Sequence, residues 1–190
     1  MSDIAAYIAR FAAPPAAQVA AFIAAGRPRT LAAGQDFCML GQSHHELAFI
    51  HEGIVRYYVT LPDGEESTKD FSFAGSFTVS FGSAVVGRPA AVAIAAVVSC
   101  RLTVWPYRTV QDLHARDPAW QEFGRRVAEL LYVRKEHREI ALLLHDAATR
   151  YRAMHDEFPP ALNKIPQYHL ASYLGIRPQS LSRLRKKAQR

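Results

Sequence analysis

The chain has 190 residues, of which 49% are hydrophobic and 21% charged, a balance that suits an ordered globular protein with one core and room for a small second one, and that excludes a disordered chain. The formal net charge of +6 is concentrated at one end: residues 177–190 hold Arg177, Arg183, Arg185, Lys186, Lys187 and Arg190 and no acid, so everything before them is net neutral. Such a block points to a polyanion partner.

Cys38 and Cys100 are too few and too far apart for a zinc site, an iron-sulfur cluster or a disulfide framework, and both read as small buried apolar residues. The start, MSDIAAYIARF, lacks the basic head and long apolar run of a signal peptide. No stretch approaches the roughly 18 apolar residues that span a bilayer. A cytoplasmic protein without a membrane partner is expected.

In chain order, residues 3–26 show apolar positions at helical spacing (Ile4, Ile8, Phe11, then Val19, Phe22, Ile23), interrupted by Pro14-Pro15 and closed by Gly26, which predicts two short helices. From Arg29 to Trp105 short apolar or alternating runs separated by Gly, Pro and Asp predict a strand-rich domain. Its clearest piece is a hairpin, Leu47 to Thr60 and Glu65 to Phe71 around Pro62-Asp63-Gly64. Val92 to Ala96 and Arg101 to Trp105 read as two further strands.

A short helix is then predicted to His114, and Asp117-Pro118 supplies an N-cap followed by proline at the first helical position. No Gly or Pro follows Gly124 until Pro159. An unbroken helix of about 40 residues would be about 60 Å long, more than a chain of this size covers, so it pairs with another chain or bends. The apolar series Phe123, Val127, Leu130, Leu131 is broken by Arg134 to Glu139 (RKEHRE) and resumes at Ile140, Leu143, Leu144. The expectation is a dimerisation helix to about Leu144, a hinge near His145-Asp146 and a shorter helix through Met154.

The C-terminal segment fits a helix-turn-helix. Counting Gln167 as the first of a 20-residue unit, the small residue needed where the helices cross is Ala171, the turn residue is Gly175, and the inward positions are Leu170, Leu174, Ile176, Leu181 and Leu184. Pro178 opens the second helix, where its missing N–H costs nothing. The outward face is rich in donors. On this geometry Gln179 would pair with adenine and Arg183 with guanine, Ser180 would make a tolerant contact, Ser182 belongs to the same DNA-facing side, and Arg177, Arg185, Lys186 and Lys187 would mostly hold phosphates of double-stranded DNA.

This order of parts, together with IPQYHLASYLGIRPQSLSRLRK and the run FIHEGIVRYYVTLPDGEE (Phe49 to Glu66), resembles the Crp/Fnr family of transcription regulators over essentially the whole chain. The resemblance implies an α+β fold: a cyclic-nucleotide-binding-type β jelly roll as sensor domain (1–116), a long dimerisation helix (117–145) and a helix-turn-helix DNA-binding domain (146–190). It further implies a homodimer on a roughly palindromic site, with RNA polymerase as a further partner. The family's β-hairpin wing has no room before Arg190, so its role is expected to be missing or to pass to the basic tail.

Cyclic-AMP-binding members use a Gly-Glu pair, whose Glu holds the ribose hydroxyl, and a later Arg that pairs with the cyclic phosphate. The matching stretches here are Gly75-Ser76-Phe77 and Arg88-Pro89-Ala90. Ser76 is too short for the carboxylate's task, and Pro89 removes a backbone N–H that a phosphate would use. Cyclic AMP is therefore not the expected ligand, and the small-molecule effector is unidentified or lost. The cysteine pattern gives no iron-sulfur cluster, the eight histidines single out no haem ligand, and no metal is expected.

Two other readings compete. Gly41, His44, His45 and Glu46 have a superficial likeness to a cupin metal motif, but adjacent histidines on a strand point to opposite faces. A cyclic-nucleotide- or protein-binding regulatory module without DNA binding is the alternative function. No catalytic constellation stands out, and an enzyme is not expected.

Overall fold

The computed structural model describes residues 3–157 and 162–188. Helices α1 (Asp3–Ala9) and α2 (Ala16–Ala24) open the chain, split at Pro14-Pro15. Strands β1 (Arg27–Leu31), β2 (Asp36–Cys38), β3 (Glu46–Thr60), β4 (Glu66–Phe73) and β5 (Ser76–Val79) follow, then a short helix α3 (Phe81–Val86) and strand β6 (Ala93–Pro106).

All strand pairings are antiparallel, in a six-stranded sheet built on two long strands. One edge of β3 runs along β6, while its other edge is divided: Leu47 to Ile50 pair with β5, and Ile54 to Thr60 with β4. The far edge of β6 is likewise shared by β1 and β2. β3 changes partner at Gly53, whose φ of +101° lies in the left-handed region and where register shifts with β6 cluster. A Cβ there would lie 2.5 Å from Cys100 Sγ and 2.6 Å from the Ser99 carbonyl oxygen, so only glycine fits.

The expected hairpin is β3–β4, closed by Leu61 N to Glu65 O at 2.8 Å, with Gly64 at φ +86°. The two strands expected at Val92–Ala96 and Arg101–Trp105 are in fact one. The stretch between them does not turn, because Val98 pairs with Ile54 and Cys100 with Leu31, which holds the backbone extended.

Helix α4 (Tyr107–Arg116) leads into α5 (Pro118–Leu144), 27 residues long, whose N-cap Asp117 accepts from Ala119 N at 2.8 Å. The helical run breaks at His145, where the pattern predicts a hinge. Asp146 Oδ1 accepts from Thr149 N at 2.8 Å and so starts a separate helix, α6 (Ala147–Glu157). A 3₁₀ turn (Leu162–Lys164) precedes α7 (Gln167–Leu174) and α8 (Pro178–Ala188). Pro159 lies outside the described residues.

Three cores hold these parts. The first fills the inside of the sheet around Ile50, Val55, Ile94 and Leu102, and includes both cysteines, free and buried as expected. The second packs α1, α2, α4 and the start of α5 on Phe49 and Trp105. Here Phe22 stacks on Trp105 at 4.5 Å, and the Trp105 indole donates to the Phe22 carbonyl at 2.7 Å. The third joins Ile54 and Phe71 of the sheet to α6, α7 and α8.

Candidate ligand cleft and nucleic-acid interface

Between the sheet and α5 lies a cleft of about 720 Å³, a size that suits a small ligand. Tyr57, Val59, Phe77 and Val79 form its sheet side, and Leu131, Lys135, Arg138 and Leu142 form the helix side. The latter four are spaced four, three and four apart, so they share one face of α5. The Tyr57 hydroxyl lies 2.6 Å from Thr78 Oγ1 and accepts from Ser72, and burial pushes its pKa up, so it stays protonated. Arg134 donates to Asp70 Oδ1 at 2.9 Å across the cleft, and Lys135 lies 3.5 Å from Glu139.

Of the six ligand residues expected from sequence, the structure brings only Phe77 to this cleft. Gly75 and Ser76 make the β4–β5 turn: the Gly75 amide donates to the Ile50 carbonyl at 2.8 Å, and Ser76 Oγ donates to the Phe73 carbonyl at 2.7 Å. Arg88 and Pro89 sit exposed on the turn after α3, and Ala90 is buried in the first core. That turn is folded toward residues 41–42, because Ala90 donates to the Gln42 carbonyl and accepts from the Gly41 amide. In their place Ser80, Ala91 and Val92 reach the cleft, with Lys69 and Arg138. The visible signal for Arg138 was the charged interruption RKEHRE in an otherwise apolar stripe; Lys69 on β4 carried none.

At the other end, α7 and α8 are joined through Gly175, at φ +67°, whose amide donates to the Ser172 carbonyl while Ile176 N donates to the Ala171 carbonyl. Leu170, Ala171, Leu174 and Leu181 are buried at 4% exposure or less, and Ile176 and Leu184 pack partly buried against them. All seven positions picked out by spacing therefore fall at the turn or the packed side of this helix pair. Arg177, Gln179, Ser182, Arg183 and Lys186 are exposed, and Ser180 is half-buried. Arg185 turns inward, half-buried beside Tyr151, His155 and Asn163, which takes it off the outer face. The side chain of Lys187 lies outside the described residues.

The pair is docked on the sheet through α7. The Thr68 amide donates to Ser172 Oγ at 2.8 Å, and Phe71 lies 5.4 Å from the Tyr173 ring. Arg138 donates to the Tyr173 carbonyl at 2.6 Å with its guanidinium 3.7 Å from the centre of that ring, and Arg150 donates to the Leu174 carbonyl at 2.8 Å. These arginines cap the carbonyl end of α7, where cations are favoured. His169 faces Arg56 and Glu66 of the hairpin, and desolvation followed by the Arg56 charge lowers its pKa to about 4.

Residues 28–117 match the family model of the cyclic nucleotide-binding domain. No curated protein matches the sequence. Among solved structures, FixK2 from Bradyrhizobium japonicum superposes with a TM-score of 0.74 at 16% identity, covering 86% of this chain and 84% of that one. The c-di-GMP-responsive global regulator CLP of Xanthomonas campestris gives 0.71 at 18% identity, covering 92% of each. The catabolite activator protein of Thermus thermophilus gives 0.57 at 20% identity, covering 91% of this chain and 83% of that one. No described helix is long and apolar enough to cross a membrane. The chain thus combines an antiparallel sheet of cyclic nucleotide-binding type with a long helix, in a fold similar to that of Crp/Fnr-type regulators.

Proposed function

We propose that the chain is a Crp/Fnr-type transcription regulator that binds double-stranded DNA as a homodimer through α7 and α8, with the cyclic nucleotide-binding-type domain as its sensor. The observation that carries this reading is the helix pair itself: its inward positions are packed, and Arg177, Gln179, Ser182, Arg183 and Lys186 remain exposed around the second helix. Donors so placed suit phosphates and base edges in a major groove. The likeness to regulators such as CLP, described as linking signalling to gene expression, supports the same role.

On this reading α5 pairs with its copy and sets two α8 helices about one DNA turn apart. The cleft takes the effector, and RNA polymerase is the further partner that the family resemblance implies. The division into sensor (1–116), dimer helix (117–145) and DNA-binding domain (146–190) belongs to the same proposal.

Selection of bound sequences from a random DNA pool tests it. A palindrome should be enriched, with affinity falling steeply as salt rises, and Arg183→Ala should weaken binding and relax preference at one base pair by about 1–3 kcal/mol. The competing reading, a regulatory module without DNA binding, is favoured by the docking of α7 on β4. It predicts no enriched palindrome and no salt-dependent binding.

A further inference from the structure

We infer that the cleft binds an organic anion with an apolar body, and that Arg138 of α5, rather than Arg88, receives the charge. The physiological meaning rests on the sensor role proposed above; the chemistry stands without it. Four cations line the cleft (Lys69, Arg134, Lys135, Arg138) against two carboxylates (Asp70, Glu139). Asp70 is taken by Arg134 and Glu139 lies beside Lys135, so the positive excess falls on Lys69 and Arg138.

Arg138 is the better placed of these two. It is half-buried where Lys69 is exposed, and a partly desolvated cation gains more from an anion than one in water does. Its guanidinium is already ordered by the Tyr173 ring and carbonyl. A guanidinium carries five N–H donors in a rigid fork, so one bond to a carbonyl leaves others for a carboxylate, sulfonate or phosphate. Phe77, Val79, Leu131 and Leu142 supply the apolar surface for the body of the ligand. Arg88, the residue that sequence comparison offers for an anion, stands outside the cleft.

The same side chain gives the cleft a hold on the helix pair. An anion on the remaining donors of Arg138 shares that guanidinium with the Tyr173 carbonyl at the end of α7, so ligand and helix pair meet on one side chain.

The test uses the full chain and two fluorescent probes of the same ring system, anilinonaphthalene sulfonate and neutral N-phenyl-1-naphthylamine. The sulfonate should bind the wild type, Arg138→Gln should weaken it by about tenfold or more, and Arg88→Gln should leave it unchanged. The neutral probe should bind wild type and Arg138→Gln alike. Cyclic AMP as competitor identifies the source of the anion: displacement that disappears in Arg138→Gln supports the inference with a nucleotide as ligand, and displacement that disappears only in Arg88→Gln overturns it. Equal sulfonate affinity in wild type and Arg138→Gln, or no sulfonate binding, also overturns it. If Arg138→Gln does not fold, Lys69→Gln, at an exposed side chain of the cleft, should weaken the sulfonate about threefold, and no change there overturns the inference. No DNA is present in these titrations, so their failure and the failure of DNA binding are separate outcomes.

Discussion

Ser172 of α7 accepts a hydrogen bond from the Thr68 amide at 2.8 Å and donates to the Glu66 carbonyl at 3.3 Å, so a single hydroxyl satisfies two backbone groups on the outer edge of β4. β4 ends the sheet path, and an edge strand carries unpaired amides and carbonyls along its free side. Ser172→Ala leaves the Thr68 amide without this partner and should lower stability by about 1–2 kcal/mol in urea unfolding. An unchanged midpoint would show that the edge is satisfied by solvent and that the serine does not hold α7.

How much of this was legible in the sequence depends on the range of the chemistry. The Pro62-Asp63-Gly64 turn, the Asp117-Pro118 start of α5, the break at His145 and the Gly175 turn are each set by residues within a few positions, and each falls where local rules put it. β1 (RPRTL) and β5 (SFTV) have too little alternation to stand out, and become strands because β6 and β3 offer them an edge. The continuity of β6 through Val98 and Cys100 is likewise imposed by its neighbours. The cleft was the least legible feature. Lys69 and Arg138 come from a strand and a helix far apart in sequence, and the turn carrying Arg88 is fixed by bonds to residues 41–42 that no local pattern encodes.

Gly53→Ala should be severe. The new Cβ would meet Cys100 Sγ, the Ser99 carbonyl and Cys100 Cα at 2.5, 2.6 and 2.8 Å, at a φ that disfavours any side chain. Two of those three are backbone atoms of β6, which move only if the strand pairing shifts. Steric overlap and left-handed strain together predict a loss of about 3 kcal/mol or more in denaturant unfolding. A loss below about 1 kcal/mol would mean that the strands part there without cost. Gly64→Ala makes a useful contrast, since its Cβ meets nothing within 4 Å and only the φ strain remains.

His169 should make the docking of α7 sensitive to acid. Its pKa in the folded chain is lowered from 6.5 to about 4, first by desolvation and then by the Arg56 charge, with Glu66 opposing. The unfolded chain therefore binds the proton more readily than the folded one. The stability that a neutral His169 contributes is complete above about pH 6.5, declines as pH falls from there to about 4, and is gone below that. For a half-exposed ring screened by solvent this amounts to about 1–2 kcal/mol. Unfolding free energies measured from pH 7 to pH 4 should fall more steeply for the wild type than for His169→Gln. Parallel curves would place the acid sensitivity elsewhere, in His44, His51 or His114, which desolvation also holds below their ordinary value.

The homodimer proposal places its interface on α5. Leu130, Val133, Ile140 and Leu144 are 48%, 45%, 42% and 76% exposed, and their spacing of three, seven and four residues puts them on one stripe of the helix with His137 at the middle position. A stripe with this near-seven period is buried when a second helix lies along it. In a dimer a charge at Ile140 would have to be desolvated against the partner helix, whereas in a monomer it would sit in water. Ile140→Glu should therefore sediment as a monomer at concentrations where the wild type is a dimer, without loss of the folded sheet. Its affinity for a palindromic site should fall by about a hundredfold or more, because one α8 then binds without the second half-site contact that linkage supplies. A variant that remains dimeric would move the interface off this stripe. One that is monomeric yet binds the palindrome as tightly as the wild type would remove the need for a pair of α8 helices.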